Sequence, residues 1–185
     1  MLDLRTLNEE LIQRDLDKHV EKQLVTSLGD LPRTRAFFGR ETELDNICAL
    51  IDARSSCLLV PGIAGIGKTA LAGKVIEQYT HRRNLLYHRW QDWEGSRAFL
   101  EACAEWLSTI GDDDLSDYIH ATAVPQSSVA VNLMIGALEE IPALIVIDDL
   151  HKVNDDALFA IIRGLSCLLY TSPSPRAATL SRMPS

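Results

Sequence analysis

The segment GIAGIGKT at positions 62–69 constrains this chain more than any other feature. It fits the pattern GxxxxGK[ST] without a mismatch, in which glycines let backbone N–H groups point inward as a nest for phosphate oxygens. The apolar run Cys57–Val60 precedes it and predicts a central parallel strand covered on both faces, and a helix is predicted over about 67–79. Because the free N–H groups at the start of that helix face the same phosphates, we expect a phosphate-binding loop. The predicted contact residues are Gly62, Ile63, Ala64, Gly65, Ile66, Gly67, Lys68, Thr69 and Ala70.

A second apolar run, Ala143–Ile147, ends on two carboxylates, Asp148 and Asp149. The carboxyl ends of parallel strands meet at one edge of a sheet, so we expect Asp148 to lie beside the phosphate-binding loop. Since Mg²⁺ takes oxygen ligands and keeps several waters, Thr69 and Asp148 are the predicted magnesium residues, Asp148 through a bound water. Lys68 would bridge the terminal phosphates and Asp149 would polarise an attacking water, so these two are the predicted catalytic residues.

Strands alternate with helices along the chain, which predicts an α/β fold with a parallel sheet between two layers of helices. The predicted strands cover 57–60, 84–90 and 143–147, and the predicted helices cover 41–53, 67–79, 97–110, 127–140 and 155–164, with Asn154 as the cap of the last. An amphipathic helix is predicted over 4–28, followed by a linker. We therefore expect a helix and linker over 1–30, a nucleotide-binding domain over 31–165, and a separate tail over 166–185.

The segment FFGRETEL at 37–44 precedes the loop by about twenty residues. Together with GIAGIGKT it resembles the STAND class of P-loop ATPases, signal-transduction relatives of the AAA+ group that include the NB-ARC proteins. The resemblance spans about 33–165. It implies that Phe38, Gly39 and Arg40 lie against adenine and ribose, and that the ligands are ATP or ADP with Mg²⁺.

The same resemblance implies a regulatory nucleotide switch that hydrolyses ATP slowly. It also implies partner domains downstream, a winged helix and repeats, and a homo-oligomer that forms in one nucleotide state. The full-length protein is then expected to be an ATPase, and this segment to bind nucleotide only. The alternatives are an AAA+ motor, a phosphotransferase with the same loop, and an ATPase like the archaeal replication initiators. The Gly-Arg-Glu segment argues against the phosphotransferase.

The remaining candidate residues are interpreted as structural. Trp90 and Trp93 follow the second predicted strand and are predicted to pack, and His151 is predicted to lie on the surface rather than to sense a phosphate. The four cysteines are scattered and are expected to be small buried hydrophobes rather than disulfides or a zinc site.

Composition excludes several classes of partner. The formal net charge is -8, and such an acidic surface repels phosphate backbones, so no direct nucleic-acid contact is expected in this segment. No apolar stretch approaches a membrane span and no signal-peptide pattern is present, so we expect a soluble, cytoplasmic protein without a membrane partner.

The tail from Cys167 to Ser185 differs from the rest of the chain, because it carries three prolines and no acidic residue. Its segments CLLYTSPSPR and SRMPS resemble a sequencing adapter translated in frame, with one departure at Ala177, where the adapter encodes Asp. We therefore expect a non-native, disordered tail and a natural reading frame interrupted near Leu165. The sheet would then lack its last strands, and its edge beside the Asp148 strand would be uncovered.

Overall fold

The computed structural model describes residues 24–32, 37, 39–53, 57–63, 65–139 and 141–171. Within these ranges, three parallel strands form one sheet in the order β1-β2-β3, and six α-helices surround it. The strands are β1 (Thr26–Ser27), β2 (Asn84–Arg89) and β3 (Ala143–Asp148). The helices are α1 (Glu41–Asp52), α2 (Lys68–Tyr79), α3 (Ser96–Ile110), α4 (Asp114–Ala121), α5 (Ser127–Leu138) and α6 (Asp156–Thr171), with a 3₁₀ turn at Leu150–Lys152.

Side chains of β2 alternate between two apolar clusters, one on each face of the sheet. Leu85 and Tyr87 belong to a cluster built with α1 and α2, whereas Leu86 belongs to a larger cluster built mainly by α3, α4, α5 and α6. Strand β3 follows the same alternation, since Leu144 and Val146 pack on the first cluster while Ile145 packs on the second. The predicted α/β fold, with a parallel sheet between helical layers, is confirmed.

Strands β2 and β3 pair in register along their full length, from Asn84 opposite Ala143 to Arg89 opposite Asp148. Both strands therefore end at the same level. The side chains at and after their carboxyl ends are brought together at one edge of the sheet, where ligands bind in folds of this type.

One carboxylate caps two helices. Asp155 accepts a hydrogen bond from the Ser96 N–H at the start of α3 (2.6 Å) and another from the Ala157 N–H at the start of α6 (2.8 Å). Burial raises the pKa of Asp155, but these backbone donors outweigh it and the pKa is lowered. The prediction that Asn154 caps the last helix is therefore wrong, because the next residue makes the bonds.

The predicted strand Cys57–Val60 does not form. The segment lies outside the sheet, with Leu59 76% exposed and Val60 41% exposed, and the thiol of Cys57 is exposed as well. Only Leu58 packs, against the cluster of α1 and α2. An apolar run becomes a buried strand only when layers cover both of its faces, and the described part of the chain does not supply the second cover here.

The structure also corrects the ends of two predicted helices. Thr26 and Ser27 pair with β2, so the predicted amphipathic helix does not extend over 24–28; its earlier part lies outside the described residues. At the other end, α6 runs on to Thr171, past Gly164 where a helix end was predicted. Residues 172–185 lie outside the described ranges, and the adapter resemblance of the tail stays a prediction.

Gly164 remains inside α6 for a packing reason. A β-carbon at this position would lie 2.9 Å from Cγ1 of Val131 on α5, so glycine allows the two helices to approach closely. Helix α4 was not predicted, since the predicted helices leave 111–126 without one. Its first-turn acids Asp114 and Asp117 suit the helix dipole, and Leu115 and Ile119 bury its apolar side.

Within the described ranges, no helix is long and apolar enough to cross a membrane.

Candidate functional site

The phosphate-binding loop joins the segment 57–61 to helix α2. Gly65 and Gly67 have φ angles of 79° and 91°, in the left-handed region that glycine adopts without strain. Gly67 precedes the first residue of α2, and its carbonyl accepts the Leu71 N–H at 3.0 Å. The first N–H groups of α2 therefore point out of the helix into the loop, as an anion site requires. Ala64 lies outside the described residues.

The Lys68 ammonium group is folded back over this loop. Its Nζ donates hydrogen bonds to the carbonyl oxygens of Gly62 (2.8 Å) and Ile63 (3.1 Å). The long side chain is thereby fixed with its charge at the open side of the loop. The arrangement can place a cation beside the oxygens of a bound phosphate chain.

Thr69 and Asp148 meet although they are 79 positions apart. Oγ1 of Thr69 donates a hydrogen bond of 2.6 Å to Oδ2 of Asp148. Asp148 is only 7% exposed, and it accepts two further hydrogen bonds, from the Tyr87 hydroxyl (3.0 Å) and the Asp149 N–H (2.8 Å). A hydroxyl and a carboxylate at this separation are hard oxygen ligands that Mg²⁺ accepts.

Tyr87 was missed by the sequence analysis, because only the register of β2 against β3 shows that it reaches Asp148. Its ring is buried in the cluster of α1 and α2, and its hydroxyl points at the carboxylate. Burial, followed by the nearby charge of Asp148, raises the pKa of Tyr87 well above its ordinary value. Tyr87 therefore stays a hydrogen-bond donor that fixes the orientation of Asp148.

The carboxylate of Asp149 contacts two cationic side chains, those of Arg89 and Lys152. The backbone of Asp149 adopts a left-handed φ of 58°, and its Oδ2 lies 3.0 Å from Nε of Arg89 and 3.2 Å from Nζ of Lys152. Burial raises the pKa of Asp149, but Arg89 and Lys152 outweigh it and the pKa is lowered; the same contact raises the pKa of Arg89. The carboxylate is therefore ionised and held by partners that the sequence analysis did not identify.

Arg40 approaches the loop from the start of α1. Its Nε lies 3.6 Å from Oε1 of Glu43, while its Nη1 is buried and has no hydrogen-bond partner among the described residues. Nη1 lies 3.7 Å from the position that a β-carbon on Gly67 would occupy. Gly39, with a φ of 73°, turns the chain into this helix. A buried guanidinium donor with a free N–H, directly against the phosphate-binding loop, fits a nucleotide site.

The structure thus brings together Arg40, the described loop residues, Lys68, Thr69 and Asp148, with Asp149 next to them but paired elsewhere. Phe38 lies outside the described residues, and His151 is exposed on the 3₁₀ turn, as predicted. Trp90 is fully buried, as predicted, whereas the packing prediction for Trp93 is wrong because its side chain is 82% exposed.

Among the described residues, no group of three or more histidine, cysteine and acidic side chains has the geometry of a metal site. A magnesium ion would therefore depend on the threonine hydroxyl, one carboxylate and water.

Comparison with known proteins gives one finding. The family model described as AAA ATPase domain matches residues 36–173, which is well over half of the chain. Neither the curated proteins nor the solved structures gave a significant match. The match contains the Gly-Arg-Glu segment, the phosphate-binding loop and both aspartates. The chain belongs to the AAA ATPase domain family, and its fold is that of a P-loop nucleotide-binding ATPase.

Proposed function

We propose that this chain is the ATP- and ADP-binding core of a STAND-type signalling ATPase. The observation that carries the proposal is the 2.6 Å hydrogen bond between Thr69 and Asp148 at the foot of the phosphate-binding loop. It joins the two predicted magnesium residues directly. The Gly-Arg-Glu segment beside the loop supports the STAND assignment over a phosphotransferase.

Each side chain of the site has a separate task in this proposal. The loop N–H groups and Lys68 bind the phosphates, while Thr69 and Asp148 hold Mg²⁺, Asp148 through a bound water. Tyr87 orients Asp148 by donating to the same oxygen that Thr69 uses. Magnesium supplies charge neutralisation of the phosphate oxygens when it is bound.

Slow hydrolysis is supported by the position of Asp149. A carboxylate that polarises water must be free to accept a proton, but this one is paired with Arg89 and Lys152. The cations lower its pKa and hence its basicity. A site with this arrangement binds ATP and converts it slowly, which suits a switch better than a motor.

The resemblance to the STAND class also supports a role for the bound nucleotide in controlling the full-length protein. By resemblance, ADP keeps the full-length protein closed, and ATP opens it and promotes homo-oligomer formation through a winged helix and repeats encoded downstream. The protein would act in the cytoplasm. The net charge of -8 supports the absence of direct nucleic-acid contact in this segment.

The experiment that tests the switch is an ATPase assay with Mg²⁺, run first at single turnover and then with excess ATP, in which bound and released products are separated. We expect ATP to be bound, cleaved slowly if at all, and any ADP formed to stay on the protein. Rapid multiple turnover with free release of ADP would contradict the switch and favour a motor. Tight binding of duplex DNA by this segment would favour the replication-initiator alternative instead.

A further inference from the structure

Within the described part of the site, the Arg40 guanidinium has a buried N–H that no contact satisfies. Its Nη1 is buried and makes no hydrogen bond with the described residues, although a guanidinium N–H is a strong, obligatory donor. Its Nε contact with Glu43 is long, at 3.6 Å, and the Glu43 side chain is 51% exposed. An exposed pair of this kind adds little, so it does not explain why the guanidinium is held inward.

The direction of Arg40 is set by the fold rather than by that pair. Arg40 occupies the cap position of α1, and its carbonyl accepts the Leu44 N–H at 3.0 Å. Leu44 is buried in the cluster that also contains Leu71 of α2. Because this packing fixes α1 against α2, the side chain of Arg40 extends to Gly67, the last glycine of the loop.

The chemistry of the free donor selects its ligand. A guanidinium donates only, carries a permanent charge and matches the paired oxygens of a phosphate. The loop beside it is already an anion site, built from N–H groups and the Lys68 ammonium. A phosphate oxygen therefore satisfies Nη1 in both hydrogen bonding and charge, whereas a neutral base satisfies only the hydrogen bond.

We propose that Arg40 binds the phosphate chain of the nucleotide through Nη1, next to Gly67, rather than the adenine and ribose that the family resemblance implied. This inference rests on the proposed nucleotide site and assigns one further ligand within it.

The test compares ADP with inorganic pyrophosphate, which has the phosphates but neither base nor ribose. Affinities of the full chain are measured by titration calorimetry for ADP, and by displacement of a fluorescent ADP analogue for pyrophosphate. We expect Arg40→Ala to weaken both ligands by a similar factor, about tenfold to a hundredfold, as for loss of a hydrogen bond to a charged group. Arg40→Lys should recover part of the affinity, since it restores the charge without the planar fork.

Arg82→Ala is the matched control. It removes one positive charge from an arginine just beyond α2, at the opposite end of that helix from the loop, where Arg82 pairs with Asp52. It should leave both affinities unchanged. Unaltered circular dichroism spectra and unfolding midpoints for each variant show that the fold is intact.

The outcomes separate the inference from the function on which it rests. If Arg40→Ala weakens ADP but not pyrophosphate, the arginine contacts base or ribose and the inference is overturned. If the variant binds both ligands as the parent chain does, the inference is overturned while the nucleotide site stands. If the parent chain binds neither ligand, the nucleotide site itself fails and the assignment of Arg40 fails with it.

Discussion

Oγ1 of Thr69 lies 2.6 Å from Oδ2 of Asp148, and this hydrogen bond joins the first turn of α2 to the carboxyl end of β3. Neither residue alone identifies a metal site. In the proposed site the two would act together on Mg²⁺, because the Tyr87 hydroxyl and the Asp149 N–H hold the same carboxylate in place. A preorganised pair of oxygen ligands costs little reorganisation when a cation binds.

Asp148→Asn should remove the contribution of Mg²⁺ to nucleotide affinity. The amide keeps the size of the side chain but loses the charge that attracts the cation. We expect ADP affinity measured with Mg²⁺ to fall by about tenfold or more, the cost of disturbing a metal site, while affinity measured with a chelator changes little. Equal losses with and without Mg²⁺ would instead assign Asp148 to the nucleotide itself or to the fold.

Asp149→Asn should separate binding from hydrolysis. Asp149 contacts Arg89 and Lys152 rather than the loop, so we expect ADP affinity to be retained. The slow cleavage of ATP should fall further because the amide cannot accept a proton from water, but by less than the roughly hundredfold that an unpaired general base contributes. If ADP binding is lost as well, Asp149 serves the metal and not the water.

The Asp149 ion pairs should also appear in the pH dependence of stability. The folded pKa lies below the ordinary value of 3.8, so the pairs stabilise the protein above that pH and lose their effect as pH falls through the lowered value. We expect the stability difference between the parent chain and Asp149→Asn, measured by urea unfolding, to be constant above about pH 5 and to shrink below it. A difference that widens on acidification would contradict the ion pairs.

Gly164→Ala should destabilise the protein, because the added β-carbon meets Val131 where α5 and α6 cross. We expect a loss of about 1–3 kcal/mol in the free energy of unfolding, the usual cost of overpacking. Gly136→Ala is the matched control on α5, since nothing lies within 4 Å of its new β-carbon. There the change should stabilise by up to about 1 kcal/mol, from helix propensity alone. A neutral Gly164→Ala would show that α5 and α6 can move apart freely.

Patterns of neighbouring residues predicted several elements of the fold and of the candidate site. The loop spacing located the start of α2, and the apolar run before Asp148 located β3, because both patterns depend on residues that are adjacent in the chain. Partners from distant positions were not predictable in this way. Tyr87 and Arg89 are two positions apart on β2, and only the pairing of β2 with β3 shows that one reaches Asp148 and the other Asp149.

The wrong prediction of a strand at 57–60 and the failure to predict α4 also arise because contacts between distant residues are not visible in a local pattern. The segment Cys57–Val60 is apolar enough for a central strand, but burial depends on what covers it, which four residues cannot specify. No helix was predicted between 110 and 127, although Asp114 and Asp117 lie in the first turn of α4, where acidic residues favour a helix start. In both cases the local pattern was compatible with two structures, and contacts outside the segment decided between them.

Whether the loop binds nucleotide is tested most directly by the affinity of ADP for the parent chain, for Lys68→Ala and for Lys74→Ala, measured by titration calorimetry with Mg²⁺. Both lysines lie on α2, but Lys68 covers the loop whereas Lys74 pairs with Glu77. We expect the parent chain and Lys74→Ala to bind ADP alike, and Lys68→Ala to bind none. Equal ADP affinity in all three proteins would contradict the assignment of the loop as the nucleotide site.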